Sequence, residues 1–190
     1  MNFNHHLAKR VKLGASCEGL NVFTKFRAQD IEQILTLLIM RGDVNPDNLE
    51  GEVLDFGMGT GAGAYILNRY GGNVTGVDTS NGSVQTAIEE KILPAERAFV
   101  KDGFEYLTGL QPESLDFVAA FMMQSGFSHQ RLYHEADRVL KQDGQLLITG
   151  GLMELKAEFQ RDIGGLGKVQ DVITFYEDKT LGNVAFTYKK

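Results

Sequence analysis

The sequence predicts an α/β protein, a three-layer α-β-α sandwich around a mostly parallel seven-stranded sheet that ends in an antiparallel hairpin. Three observations predict it. The apolar run Val53-Leu54 leads at once into glycines at 57, 59, 61 and 63 and then into Ala64 to Tyr70, which can begin a helix, giving a strand, loop and helix unit. Short apolar runs recur at 73–78, 98–100, 114–121 and 145–149, separated by helix-length segments, the alternation that builds a parallel sheet. The last two β-rich runs, 172–176 and 183–188, are joined by a tight polar turn and so pair antiparallel.

Composition bounds what such a chain can be. A length of 190 residues, 43% of them apolar and only three proline, fits one domain over residues 29–190 with a full core, preceded by an arm over residues 1–28. The single cysteine, Cys17, excludes an internal disulfide and a cysteine zinc cluster, so a reducing, cytoplasmic compartment is expected. The apolar stretch Ile31 to Met40 is interrupted by Glu32, Gln33 and Thr36 and is too short to cross a bilayer. A net charge of −6 argues against a nucleic-acid partner, which would need a basic footprint. Residues 1 to 27 are the local exception, with Lys9, Arg10, Lys12, Lys25 and Arg27 against Glu18 alone. They read as a solvated terminal segment, or as a basic cover for an acidic pocket.

Within the arm, Leu7 to Leu13 can form a short helix, and the adjacent His5 and His6 point apart, which disfavours a shared metal. From Gln29 to Arg41, Ile31, Ile34, Leu35, Leu38 and Ile39 form the stripe of an amphipathic helix, which Gly42 stops. Asp43 to Glu50 is a polar turn before the first strand. After the glycine loop and its helix, Gly71-Gly72 terminate the helix and Asn73 to Asp78 is the second strand. Ser80 or Asn81 then caps a helix running to Ile92, and Ala98-Phe99-Val100 is the third strand. Pro112 and Glu113 turn into the buried fourth strand, Ser114 to Phe121. Ser128 can cap the helix Gln130 to Leu140; a turn and the strand Gln145 to Thr149 follow, then a helix from Leu152 to Arg161 and a glycine-rich hinge at 164–167.

The loop alone leaves its ligand open, because Gly57-x-Gly59-x-x-Ala62 also fits the dinucleotide fingerprint, with Asp78 placed like that fingerprint's ribose acid. The tie is broken by Asp55, two residues before the first glycine, where a pyrophosphate would meet a like charge. Asp55-Phe56-Gly57-Met58-Gly59-Thr60-Gly61 resembles the D-x-G-x-G-x-G motif of class I S-adenosylmethionine-dependent methyltransferases. The run Glu135-Ala136-Asp137-Arg138-Val139-Leu140-Lys141-Gln142-Asp143-Gly144 resembles the family's E-x-x-R-V-L-K-P-G-G, with Gln142-Asp143 in place of Pro-Gly. The resemblance covers about residues 50 to 190 and implies the Rossmann-like form of the fold, with a terminal hairpin foreign to dinucleotide domains.

The resemblance implies a site as well. The cofactor would be S-adenosyl-L-methionine, with Asp55, Gly57, Gly59 and Gly61 at its methionine end and Asp78 on the ribose. Thr79 would lie against the adenine, Asp102 and Gly103 at the adenine edge, and Phe121 at the end of the fourth strand on the cofactor side. The segment Met122 to His129 would face the methyl group, with Gln124 and Ser125 orienting the acceptor and His129 its general base. Each has a plainer reading: Asp78 as a helix-start acid, Asp102-Gly103 as a turn pair, His129 as a helix-start histidine facing water. His134 lies on another helix face and is expected at the surface. The Asn/Asp-Pro-Pro-Tyr/Phe motif of amino-methylating enzymes is missing, which favours a small-molecule acceptor. A pocket without an inserted lid would be closed by the N-terminal arm and first helix or by a second subunit in a homodimer. Two rivals stand beside this reading: a non-catalytic S-adenosylmethionine-binding module, and an NAD(P)-dependent oxidoreductase, which would lack the usual Tyr-x-x-x-Lys relay.

Overall fold

In a computed structural model of the chain, residues 20–123, 129–151, 172–175 and 183–190 are described. The first helix there, α1, is Val22–Arg41; a 3-10 turn at Pro46–Glu50 leads to β1, Glu52–Phe56. Then follow α2 (Ala62–Arg69), β2 (Asn73–Asp78), α3 (Asn81–Glu89), β3 (Ala98–Val100), α4 (Gly103–Thr108) and β4 (Leu115–Met123). The chain continues through α5 (His129–Val139), β5 (Leu140–Gly151), β6 (Val172–Phe175) and β7 (Asn183–Lys189). The seven strands form one sheet in the order β3-β2-β1-β4-β5-β7-β6. Its first five strands are parallel, and β7 runs antiparallel between β5 and β6, as the terminal hairpin required.

The strands are buried on both faces, so consecutive residues feed opposite cores. Val53, Phe117, Ala119 and Leu147 face a cluster made with Leu35, Leu38 and Ile39 of α1 and Ile66 and Leu67 of α2. Their neighbours Leu54, Val118, Ala120, Leu146 and Ile148 face a second cluster with Phe104, Leu132, Ala136 and Tyr188. Sheet plus two helical layers follows directly. Salt bridge Arg69–Glu32 (3.1 Å) and the Thr36–Tyr70 hydrogen bond (3.2 Å) fasten α1 along α2. Arg138, part of the Glu-x-x-Arg run, donates to the carbonyls of Leu107 (2.7 Å) and Leu110 (2.9 Å), so its role is to tie α5 to the end of α4.

The sequence expectations need correction in three places. Helix α1 starts at Val22, not Gln29, so the proposed arm boundary at 28 falls inside a helix. Its early buried positions are Thr24 and Ala28, while Phe23 and Phe26 are 60% and 64% exposed, which hid the stripe. Asn21 caps it by accepting from the Thr24 N–H (3.0 Å). The helix after β2 ends at Glu89 rather than Ile92, because Lys91 adopts a left-handed φ of 56°. Strand β5 begins at Leu140, directly after α5, with a register break before Gln145 where Asp143 takes φ 67°. The short helix at 7–13, the helix at 152–161 and the 164–167 hinge lie outside the described residues. No helix among those described is long and apolar enough to cross a membrane.

Candidate functional site

Strand order reverses between β1 and β4, and in an open parallel sheet the crevice at such a reversal, outside the carboxyl ends of the strands, is where ligands bind. The sequence-predicted residues converge there: Asp55 near the end of β1, Asp78 ending β2, Asp102 just after β3 and Phe121 near the end of β4.

The glycine loop is built by backbone geometry that only glycine takes without strain. Gly57, Gly59 and Gly61 have φ of 69°, 54° and 90°. The N–H groups of Gly57 and Met58 both donate to the Val77 carbonyl, at 2.9 and 3.0 Å, so the loop hangs from β2. The Asp78 carboxylate completes the anchor, accepting from Gly59 N–H through Oδ2 (2.9 Å) and from Ser80 N–H through Oδ1 (2.8 Å). One carboxylate thus fixes both walls of the crevice. Gly61 then heads α2 and brings no side-chain cap, so of the first-turn N–H groups only that of Ala64, which donates to Asp55, has a carboxylate partner among the described residues, and those of Ala62 and Gly63 stand nearest a ligand oxygen.

Asp55 is the unusual group. Only 1% exposed, its carboxyl accepts from the Ala64 N–H, and Oδ2 has no hydrogen-bond partner. Burial pushes its pKa up to about 7, opposed by the Ala64 hydrogen bond and assisted by the nearby Asp78 charge. A buried carboxyl oxygen without a partner carries a desolvation cost that a cationic ligand group removes. Gly63 makes the room for it: a Cβ there would lie 2.5 Å from the Phe121 ring and 2.6 Å from Asp55 Oδ2. Gly63→Ala is therefore expected to destabilise the protein by about 1–3 kcal/mol, measured as a lowered urea midpoint at unchanged slope.

Elsewhere the structure shows structural roles for residues expected beside the cofactor. Asp102 is the N-cap of α4, accepting from Phe104 N–H (2.9 Å) and Glu105 N–H (3.0 Å) through Oδ1. Gly103 is required by packing, since a Cβ would meet the Phe56 ring at 2.4 Å. Thr79 is exposed beside the crevice, and His134 is exposed on α5 as expected. His129 is the first residue of α5, while Gln124, Ser125, Ser128 and the His5-His6 pair lie outside the described residues.

Two features escaped the sequence reading. Met122 adopts a left-handed φ of 56° at the end of β4, where the ladder with β5 shifts register, and its N–H donates to Thr149 Oγ1 (2.9 Å). Strain of this kind clusters at functional sites. The second is Thr24, wholly buried on α1, whose hydroxyl shares a hydrogen bond of 2.7 Å with that of Thr60 in the glycine loop. No pattern in the sequence marks either one.

Comparison with known proteins bears on the fold and the family. The family model described as Methyltransferase domain matches residues 54–148, from β1 to β5. A protein of Saccharomyces cerevisiae described as a probable S-adenosylmethionine-dependent methyltransferase is 27% identical over 95 residues, 48% of this chain and 33% of its own length. The chain thus spans about a third of that relative. A solved S-adenosylmethionine-dependent methyltransferase of Aquifex aeolicus superposes with a TM-score of 0.61 at 19% identity, over 87% of this chain and 92% of its own. The geranyl diphosphate C-methyltransferase of Streptomyces coelicolor, solved with S-adenosyl-L-homocysteine, gives 0.56 at 13% identity over 75% and 72%.

Proposed function

We propose, for a chain that belongs to the methyltransferase-domain family, that the crevice binds S-adenosylmethionine and directs its methyl group to a small-molecule acceptor. The observation that carries this reading is Asp55: a buried carboxyl with an unpartnered oxygen beside a helix start suits the ammonium and carboxylate of an amino acid lying side by side.

When bound, S-adenosylmethionine supplies an electrophilic methyl group on a sulfonium. The chain's own residues do the rest by holding and orienting, the main source of rate in such a displacement. Asp55 pairs with the ammonium, and the N–H groups at the start of α2 meet the carboxylate. Asp78 retains lone pairs for the ribose hydroxyls, and Thr79, Asp102 and Gly103 line the adenine side. Phe121 closes the floor between β1 and β4. Gln124 and Ser125 orient the acceptor, and His129 takes the proton from its nucleophile. A small acceptor is supported by the net charge of −6, which disfavours a phosphate backbone, and by the Streptomyces neighbour that acts on geranyl diphosphate. A cytoplasmic location and pocket closure by α1 or a second copy belong to the same reading.

Calorimetric titration with S-adenosylmethionine, S-adenosylhomocysteine and NAD tests it. Binding of both sulfur nucleosides in the micromolar range and none of NAD is expected; binding of NAD alone would replace the reading with the oxidoreductase one. Once an acceptor is found by screening, His129→Ala is expected to lower kcat by about a hundredfold or more, with the cofactor Kd unchanged. An unchanged kcat would remove His129 from the mechanism.

A further inference from the structure

The residues matched by the family model begin at 54, yet the glycine loop is held from outside that stretch. Thr24 lies two residues into α1, and its side chain is 0% exposed. A hydroxyl so placed must be satisfied, and its partner is Thr60 Oγ1 at 2.7 Å, between the two left-handed glycines Gly59 and Gly61. The same turn also reaches the far end of α3. Asn21 donates to Glu90 Oε1 through its backbone N–H (3.2 Å) and its Nδ2 (2.5 Å), and Glu90 closes α3. Ala87 and Ile92 fill the space beside Gly61, each 3.1 Å from where a Cβ would stand. The turn Asn21 to Thr24 is therefore a bridge from the loop after β1 to the end of the helix after β2.

We infer that Thr24 is a positioning residue for the cofactor, acting through Thr60 to hold the glycine loop in its binding conformation. The first turn of α1 thereby becomes part of the site. Two hydroxyls bonded to one another leave one further proton to donate. An anionic group at the loop, such as an amino-acid carboxylate, selects the order in which Thr24 donates to Thr60 and Thr60 donates to the ligand. This rests on the cofactor reading above, because the loop's ligand is what the alignment serves.

The test is titration of S-adenosylmethionine and S-adenosylhomocysteine into wild type, Thr24→Val, Thr24→Ser, Thr60→Val and the double valine variant, with a thermal melt of each. Valine keeps the shape of threonine, so α1 is expected to stay packed and the melts to agree within a few degrees. Thr24→Val is expected to weaken both ligands about tenfold, the worth of one hydrogen bond, and Thr24→Ser to restore affinity to within about twofold. The double variant is expected to bind no more weakly than Thr60→Val alone, because the two hydroxyls act as one unit. Wild-type affinity in Thr24→Val, no rescue by serine, or multiplied losses in the double variant would each overturn the inference while leaving the cofactor reading intact. Absence of binding to wild type would overturn both. Should Thr24→Val not fold, hydrogen exchange of wild type decides: cofactor is expected to slow exchange at 22–28, and unchanged rates there count against the coupling.

Discussion

Asp78→Ala is expected to weaken S-adenosylmethionine binding by at least a hundredfold. The variant loses two kinds of contact at once. Asp78 holds the backbone N–H groups of Gly59 and Ser80, at 2.9 and 2.8 Å, and each is a charge-assisted bond whose loss frees a wall of the crevice. It also supplies the acceptor for ribose hydroxyls in the proposed complex. Hydrogen bonds to a charged group are worth roughly 1.5–3 kcal/mol each, so losing the two that ribose hydroxyls would make accounts for a hundredfold or more in Kd, while the two backbone bonds, made with or without ligand, enter through the stability of the loop. Asp78→Asn keeps one acceptor oxygen and should fall between, at about tenfold. Calorimetric titration measures both, and a melt of the free protein separates loop loosening from unfolding. Unchanged affinity in Asp78→Ala would place the ribose elsewhere.

The parts of the fold legible in the sequence were those whose ends carry their own chemistry. Strand β2 runs from Asn73 to Asp78 as read, because Gly71-Gly72 stop the helix before it and an acid with a capping Ser80 follows it. Strand β3 was legible as the short apolar run Ala98-Phe99-Val100, with Lys101-Asp102 after it. Helix α1 was misread at its start because burial there falls on Thr24 and Ala28 while aromatic residues face outward. A hydrophobic stripe detects only helices whose buried positions are apolar. Helix α4 went unread as a helix because six residues give too few turns for a period to show.

The placement of the candidate site residues was legible to the same degree. Asp55, the glycines and Asp78 stand in a contiguous motif or at a strand end, and the sheet brings them together as the spacing implied. What sequence cannot state is which functions a residue combines. Asp102 caps α4 and Gly103 yields to the Phe56 ring, roles that would keep both residues even without a ligand. The left-handed turn at Met122 and the Thr24–Thr60 pair, 36 residues apart, depend on tertiary packing that no local pattern encodes.

Affinity for S-adenosylmethionine is expected to fall about fiftyfold between pH 7 and pH 5, and Asp55→Asn to abolish that dependence. In the free protein Asp55 titrates at about 7, because burial disfavours its charge more than the Ala64 N–H favours it, with Asp78 adding repulsion. Gly63 and Phe121, which lie beside it, do not titrate, and among the described residues the one charged group whose field it feels is Asp78. Pairing with an ammonium requires the ionised form, so below pH 7 each bound cofactor must displace a proton, and affinity drops tenfold per unit of pH. The cofactor's own ammonium, like other α-amino groups near 7.7–8.0, stays charged across this window and does not confound it. Stability of the free protein should move in the opposite sense. A folded-state pKa raised above 3.8 means that the folded chain binds more protons than the unfolded one between about pH 4 and 7. Asp55's contribution is then fully present below pH 4 and lost as pH rises through 7, while saturating cofactor returns stability where the free protein has lost it. Calorimetry at pH 5, 6 and 7 in two buffers of different ionisation enthalpy reads the proton release directly. If affinity is flat with pH in wild type, or if Asp55→Asn keeps the slope, Asp55 is not the group that meets the ammonium.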